Sequence, residues 1–288
     1  MKIAIMTDST ATLSSEEIER YNIKVIPIPI IFEGKEYKEN IDITTKEFYD
    51  KLKNSKSFPS TSQPAIGELI SIYESLRDEG YEQVISIHLT STISGFINNV
   101  DSIKDKIDGL EVIPVDSKIT VRLMGWQVLK AARMVEEGKT AEEIVHVLQE
   151  LQKTTDEYFV VDDLNNLVRG GRLSNAGAIV GTMLKVKPIL TFDNDSNYIV
   201  PYEKVRSMKK SKKRVEELFK NALMNTTYPI KPMIIHANAQ LEGEAWRQEL
   251  AEAYPDLDFE LSYFSPVIGV HLGAGALALA WMRDPESL

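Results

Sequence analysis

Three short segments rich in hydroxyl side chains and glycine carry the residues best suited to chemistry. They span residues 60–64, 90–95 and 269–275, and each is predicted to lie just ahead of a helix. The start of a helix exposes unpaired backbone N–H groups and a partial positive charge, so it favours carboxylates and phosphates. Taken singly, each segment is also typical of an ordinary helix cap. Convergence of the three would make an anion site.

Four histidines are the other candidates for chemistry. His88 falls in a predicted strand and His146 in an amphipathic helix, so both are interpreted as structural. His236 ends a predicted strand and is a minor candidate for a polar cleft. His271 is interpreted as following an apolar strand among glycines, where an imidazole can approach a ligand closely and donate a hydrogen bond. No two histidines have metal-ligand spacing, and the sequence predicts no metal site.

A serine hydrolase is the first alternative that these residues allow. Ser94 would be the nucleophile and His271 the base, with Asp116 or Asp8 to orient the imidazole. Ser94 lacks the glycines two positions before and after it that form a nucleophile elbow. Phosphate-binding glycine loops are also missing from the sequence, which disfavours nucleotide chemistry on this chain.

A basic run between residues 204 and 214 contrasts with the acidic chain. It comprises Lys204, Arg206, Lys209, Lys210, Lys212, Lys213 and Arg214. Such runs are usually solvated helix faces. The alternative is a docking surface for an acidic partner, which would also suit a regulatory protein with a vestigial pocket.

Composition bounds the class of protein. The chain has 288 residues, 33 basic and 43 acidic, with a net charge of -10 and no cysteine. The length favours two domains, and the charge argues against nucleic acid and against more than transient membrane contact. Disulfides and thiolate nucleophiles are excluded. The start lacks the features of a secretory signal, and the longest apolar tract is too short to cross a bilayer, so we expect a cytoplasmic protein.

The elements that must position these residues alternate between apolar strands and amphipathic helices, which indicates an α/β fold. We place a domain boundary at residue 153, giving an N-terminal α/β domain over 1–153 and a second α/β domain over 154–288. A small irregular β insert is expected near 25–60, because Pro27 and Pro29 disfavour a central strand there.

Five motifs, in this order and spacing, resemble those of the DegV family. These are fatty-acid-binding proteins that include the acyl-binding B subunits of bacterial fatty acid kinase. The resemblance covers essentially the whole chain. The motifs are Ile5-Met6-Thr7-Asp8-Ser9-Thr10, Thr61-Ser62-Gln63-Pro64, Ser91-Thr92-Ile93-Ser94-Gly95, Gly171-Arg172-Leu173-Ser174 and Pro266-Val267-Ile268-Gly269-Val270-His271-Leu272-Gly273.

The resemblance implies an N-terminal domain with a mainly parallel sheet and helices on both faces, and a C-terminal domain with a mixed sheet. It implies a long-chain fatty acid in a cleft between the domains and no cofactor. Ser94 would bind the carboxyl group, with Thr61 and His271 completing the site. Ser62, Gly95 and Arg172 would lie next to the ligand. The usual Thr-Tyr after Ser-Gly is replaced in this chain by Phe96-Ile97, which would alter the shape of the pocket.

The resemblance also implies a partner. A separate kinase subunit would phosphorylate the bound fatty acid to an acyl phosphate that feeds phospholipid synthesis. This chain would then be a lipid-binding subunit and no enzyme by itself. Arg206, with Lys204 and Lys209, would belong to the surface that faces the kinase.

Overall fold

The computed structural model describes residues 1–55, 57–174 and 187–288, which form two compact units. The first unit comprises Met1–Thr44 and Thr61–Lys153, and the second comprises Thr45–Ser60 and Thr154–Leu288. The chain therefore changes unit after Lys153. The segment 45–60, which the sequence placed in an insert of the first domain, is instead part of the second unit.

In chain order, the described helices and strands are β1 (Ile3–Asp8), α1 (Ser15–Tyr21), β2 (Lys24–Ile26), β3 (Pro29–Phe32), β4 (Lys35–Lys38), α2 (Thr45–Asn54), β5 (Ser60–Thr61), α3 (Ile66–Asp78), β6 (Gln83–His88), α4 (Phe96–Ile103), β7 (Glu111–Asp116), α5 (Val121–Glu136), α6 (Ala141–Gln152), β8 (Asp156–Val160), α7 (Asn165–Gly170), β9 (Ile189–Phe192), β10 (Ile199–Glu203), α8 (Met208–Asn225), β11 (Ile230–His236), α9 (Gln240–Ala253), β12 (Glu260–Tyr263), α10 (Pro266–Leu272) and β13 (Leu277–Arg283).

The main sheet of the first unit is parallel throughout, in the order β2-β1-β6-β7. Its two central strands are buried at every position, as is typical of parallel strands covered on both faces. Pro27 follows the edge strand β2 directly, and Pro29 opens β3 in a separate small sheet with β4. Both prolines thus avoid a central strand of the main sheet, where a missing N–H would break the ladder.

The sheet of the second unit is mixed, in the order β10-β9-β8-β13-β11-β12. Only β11 and β12 run parallel among its described pairs; the other neighbours are antiparallel. With the parallel sheet of the first unit, this confirms the expected fold class.

Helix α2 belongs to the second unit because of its two aromatic side chains. Phe48 and Tyr49 are buried there. The Tyr49 hydroxyl donates to the carbonyl oxygen of Phe264 at 3.2 Å. Its ring occupies space next to Gly269, where an added Cβ would lie 2.5 Å from the hydroxyl oxygen. Burial of two large aromatic rings outweighs the chain connection to the first unit.

The third hydroxyl- and glycine-rich segment differs from its prediction. Residues 266–272 form α10, and the chain then enters β13. His271 therefore lies in the last turn of a helix and does not precede one. Gly273, with a φ of 73°, ends the helix. The apolar run misled the prediction because a short buried helix and a buried strand have the same composition.

Candidate functional site

The turn that carries Ser94 is held by backbone hydrogen bonds in the first unit. The Thr90 N–H donates to the Ile119 carbonyl at 2.9 Å, and the Ser94 N–H donates to the Thr90 carbonyl at 3.2 Å. Helix α4 then begins at Phe96 with no side-chain cap on its N-cap residue. The Ser94 Oγ accepts the Phe96 N–H at 3.3 Å. The expectation that this segment precedes a helix is confirmed, and the hydroxyl lies at the helix start.

The segment around Thr61 meets the Ser94 turn through Gln63. The Gln63 Oε1 accepts a hydrogen bond from the Asn99 side chain on α4. An added Cβ at Gly95 would lie 2.5 Å from the Gln63 Nε2, so a larger residue there would displace the end of the Gln63 side chain. The Ser62 N–H is held by the Pro29 carbonyl at 3.0 Å. Two of the three segments singled out in the sequence are thus neighbours in the first unit.

A buried chain of hydrogen bonds supports the turn that carries Ser94. The His88 Nδ1 lies 3.0 Å from the Asp8 Oδ2, and its Nε2 lies 2.7 Å from the Ser86 Oγ. The Tyr73 hydroxyl lies 2.8 Å from the same Ser86 oxygen. All four side chains are fully buried. Asp8 Oδ1 also accepts the Thr10 hydroxyl at 2.6 Å.

The direction of these hydrogen bonds follows from Asp8. A carboxylate only accepts, so the His88 Nδ1–H donates to it. His88 Nε2 then accepts from Ser86, and Ser86 accepts from Tyr73. Burial raises the pKa of Tyr73, so its hydroxyl stays protonated and is the first donor in this chain of hydrogen bonds.

Ser86, His88 and Asp8 are hydrogen-bonded in the order of a serine hydrolase triad. This triad cannot act on a substrate. Ser86 lies inside the sheet with no exposed surface, and its hydroxyl is engaged on both sides. The His88 ring packs edge-on against Phe96 at a centroid distance of 4.5 Å. Since Phe96 opens α4, the network positions the helix start beside Ser94. Sequence reasoning treated His88 as structural and missed its partners, which lie on β1, β6 and α3.

His271 lies in the second unit against α7. A Cβ at Gly170 would overlap the His271 Nδ1, so the ring packs directly on the α7 backbone. Arg172, two residues further on, is half-buried and donates from its guanidinium to the Gly170 carbonyl. The loop after α7 thus brings Arg172 and His271 to the same place.

The electrostatics of this pair suit an anion. Burial, together with the positive charge of Arg172, lowers the pKa of His271 to about 4. The imidazole is therefore neutral at pH 7 and offers one N–H donor and one acceptor. Burial also lowers the pKa of Arg172, but a guanidinium keeps its charge at any physiological pH. A half-buried cation beside a neutral donor is a favourable environment for a carboxylate.

The two aspartates considered as orienting groups for a hydrolase are committed within the first unit. Asp8 accepts from His88, Thr10 and the Leu89 N–H at 3.0 Å. Asp116 accepts the Lys118 N–H at 2.9 Å and pairs with the Lys118 ammonium at 3.1 Å. Asp116 also accepts the Ser91 N–H at 3.3 Å, so both carboxylates bind groups of the first unit.

The basic run divides into paired and exposed cations. Arg214 pairs with Glu203 at 2.8 Å and with Glu217 at 3.1 Å. Lys212 lies 3.6 Å from Glu249. The exposed members are Lys204, Arg206, Lys209, Lys210 and Lys213. Lys209, Lys210 and Lys213 lie in the first turns of α8, and Lys204 and Arg206 lie just before it. These cations therefore share the N-terminal end of that helix.

His236 has structural surroundings, whereas His146 is exposed on α6. His236 ends β11, and its Cβ lies 3.3 Å from the Cβ position of Gly243 on α9. Burial lowers the pKa of His236. Within residues 1–55, 57–174 and 187–288, no group of three or more histidine, aspartate and glutamate side chains could hold a metal ion. In the same ranges, no helix has the length and hydropathy needed to span a bilayer.

Taken together, the fold and the polar groups at its loops define a two-unit α/β protein with side chains suited to a carboxylate. Residues 2–284 match the family described as "Uncharacterised protein, DegV family". The chain belongs to the DegV family.

Relatives and solved structures extend this finding. A DegV domain-containing protein of Listeria innocua is 47% identical over 280 residues, covering 97% of this chain and 98% of the relative. The crystal structure of DegV, a fatty acid binding protein from Bacillus subtilis, has a TM-score of 0.90 at 43% identity, covering 98% of this chain and 99% of that chain. The fatty acid binding DegV family protein SAG1342 from Streptococcus agalactiae has a TM-score of 0.91 at 38% identity, with 98% and 99% covered.

Proposed function

We propose that this protein binds one long-chain fatty acid. Thr61, Ser94 and His271 hold the carboxyl group, and Ser62, Gly95 and Arg172 lie next to it. The acyl tail is buried among apolar side chains, and the ligand occupies a cleft between the two domains. Each buried CH₂ group contributes about 0.8 kcal/mol, so the tail supplies most of the affinity.

The observation that carries this proposal is the pairing of half-buried Arg172 with a neutral His271. A carboxylate at this position gains a charged donor and an imidazole donor. The solved relatives described as fatty acid binding proteins support the choice of ligand. No cofactor is proposed, and the polar groups suffice to orient a carboxyl group.

The first experiment is extraction of the purified protein with organic solvent, followed by mass spectrometry. A long-chain fatty acid at about one equivalent is the expected result. An empty extract, also after incubation with mixed fatty acids, would contradict the proposal. Turnover of p-nitrophenyl acyl esters that is lost in Ser94→Ala would instead favour the acyl ester hydrolase.

Replacement of Ser94 by alanine tests the carboxyl ligands. Loss of one hydroxyl donor to a carboxylate is expected to weaken fatty-acid binding about tenfold to a hundredfold. Titration with a fluorescent fatty acid measures this change. Ser102→Ala is the matched control, because Ser102 is exposed on α4, the helix that follows Ser94, and its hydroxyl donates to the Asn99 carbonyl at 2.8 Å. Equal binding by both variants would remove Ser94 from the site.

We further propose that the protein is a cytoplasmic subunit that presents the bound carboxyl group to a separate kinase. That partner forms the acyl phosphate used for phospholipid synthesis. The sequence carries no phosphate-binding loop of its own, which supports a division of labour. Arg206, Lys204 and Lys209 dock an acidic face of the kinase by complementary charge.

Charge reversal tests this docking surface. The double variant Arg206→Glu, Lys209→Glu is expected to lower the rate of acyl phosphate formation by the reconstituted pair at least tenfold at low salt, with fatty-acid binding unchanged. The double variant Lys139→Glu, Lys220→Glu, at two exposed positions outside the basic run, changes the net charge by the same amount and is the control. If the double variant and the control lose the same activity, the surface has no specific role.

A further inference from the structure

Helix α10, which carries His271, depends on its neighbours for its position. It has seven residues, about two turns, and a helix of that length is not stable alone. Its N-cap residue Ser265 makes no side-chain cap bond, and the Ser265 Oγ is buried without a hydrogen-bond partner among the described residues. Every residue of α10 except His271 is buried. The packing of α10 therefore decides where the imidazole lies.

Two helices of the second unit, α2 and α7, pack against α10, each at a glycine. On the side of α2, an added Cβ at Gly269 would lie 2.5 Å from the Tyr49 Oη and 2.9 Å from its Cζ. On the side of α7, an added Cβ at Gly170 would overlap the His271 Nδ1. Neither contact leaves room for a methyl group, so α10 is held closely by both helices.

The two contacts lie on opposite sides of α10. Gly269 and His271 are two positions apart, which is a rotation of about 200° around the helix axis. Tyr49 therefore packs on one side of α10 while His271 packs against α7 on the other. A shift of α10 relative to α2 changes how deeply the imidazole is buried against α7.

The Tyr49 hydroxyl also fixes the start of α10. It donates to the carbonyl oxygen of Phe264 at 3.2 Å, and Phe264 directly precedes the N-cap residue. Tyr49 is 2% exposed, and its ring packs edge-on against Phe48 at a centroid distance of 5.0 Å. A single buried side chain thus contacts α10 at its start and at its middle.

We propose that Tyr49 is a positioning residue that sets the location of His271 for the carboxyl group of the ligand. This inference rests on the proposed function and adds a residue to it. Tyr49 acts on the ligand through His271. The segment 45–60 that carries Tyr49 is followed directly by Thr61, another proposed carboxyl ligand. This segment is therefore packed against the helix of one ligand-binding residue and joined by a peptide bond to another.

Nuclear magnetic resonance of the histidine side chains tests the inference. The full chain, stripped of lipid and labelled with ¹⁵N in its four histidines, is titrated with acid, and His271→Ala assigns the signal. In the wild type, burial and the charge of Arg172 hold the pKa of His271 at about 4. In Tyr49→Leu we expect this pKa to rise toward its ordinary value of 6.5, because the ring loses burial.

Affinity for stearic acid at pH 7 is the second readout. It is expected to fall about tenfold in Tyr49→Leu, because a displaced imidazole forms a longer hydrogen bond to the carboxyl group. Tyr49→Phe loses only the hydroxyl group and retains the ring beside Gly269. This conservative variant is expected to give a smaller rise in the pKa of His271 and a smaller loss of affinity.

A double variant tests the contact between Tyr49 and Gly269 directly. Gly269→Ala alone places a methyl group against the Tyr49 hydroxyl and is expected to weaken binding about tenfold. In the Tyr49→Leu background the hydroxyl and the end of the ring are gone, so the same methyl group has space. The double variant is therefore expected to bind more tightly than the product of the two single losses predicts. Losses that simply multiply would contradict a direct contact.

Tyr254→Leu is the matched control for a general loss of stability. The half-buried ring of Tyr254 packs edge-on against Phe219 in the core of the second unit at a centroid distance of 5.5 Å. This variant is expected to unfold at lower urea concentration, with the pKa of His271 and the affinity unchanged. The inference is overturned if both Tyr49 variants leave the pKa of His271 at the wild-type value, or if Tyr254→Leu raises it equally.

The variant His271→Ala separates failure of this inference from failure of the proposed function. Equal affinity of His271→Ala and the wild type for stearic acid would remove His271 from the carboxyl site and count against the proposed function. The acid titration of His271 requires no ligand, so it still decides whether Tyr49 positions the imidazole.

Discussion

Replacing Asp8 by alanine is expected to lower the free energy of unfolding by about 3–5 kcal/mol, the range for breaking a buried charged network. Asp8 is fully buried and accepts four hydrogen bonds. They come from the Thr10 N–H, the Thr10 hydroxyl, His88 and the Leu89 N–H. Alanine leaves all four donors without an acceptor in the interior. Urea unfolding followed by circular dichroism measures the change.

Two further variants separate the network from a general effect of losing a carboxylate. Asp42→Ala removes an acceptor for a single exposed N–H, that of Lys38 at 2.9 Å, and is expected to cost less than about 1 kcal/mol, the net worth of one hydrogen bond. Asp8→Asn keeps one acceptor and is expected to lie between these values. A loss below about 1 kcal/mol for Asp8→Ala would show that the network does not stabilise the first unit.

Replacing Gly170 by alanine is expected to weaken fatty-acid binding at least tenfold. The new methyl group would overlap the His271 Nδ1, and the ring is largely buried, so it must rotate or move. Movement of a ligand-binding donor by a fraction of an ångström lengthens its hydrogen bond to the carboxyl group. The carbonyl of Gly170 also accepts from Arg172, so the change disturbs both groups. Fatty-acid titration measures the affinity.

Gly171→Ala distinguishes ring displacement from backbone strain. Gly171 has a φ of +69° and nothing within 4 Å of its Cβ position. Alanine there costs about 1–2 kcal/mol of stability for its left-handed backbone, and we expect little change in affinity. Equal loss of binding in both variants would mean that the loop conformation matters and the contact with His271 does not.

The local pattern of the first unit was well predicted from its residues. The runs around Ile5 and Ile85 form buried parallel strands, in agreement with the predicted alternation of strands and helices, and Ser14 and Thr140 begin helices with capping boxes. These features depend on residues within a few positions of each other, so they can be predicted from the local sequence. The turn before α4 was recognised for the same reason.

Residues that act through distant partners were not predictable in this way. His88 was treated as a structural strand residue, yet its bonds reach Asp8, 80 positions away. The surroundings of helix α2 are also set by distant residues, because its partners Phe264 and Gly269 lie more than 200 positions later.

The sequence by itself determined the α/β class and the family, because these follow from hydrophobic periodicity and ordered motifs. Only the tertiary structure decided the setting of His271 and Arg172. The helical turn of His271, its lowered pKa and its contact with Gly170 all arise from packing between α10 and α7. Burial and charge at these positions are sums over neighbours that folding brings together, and no local pattern of residues contains them.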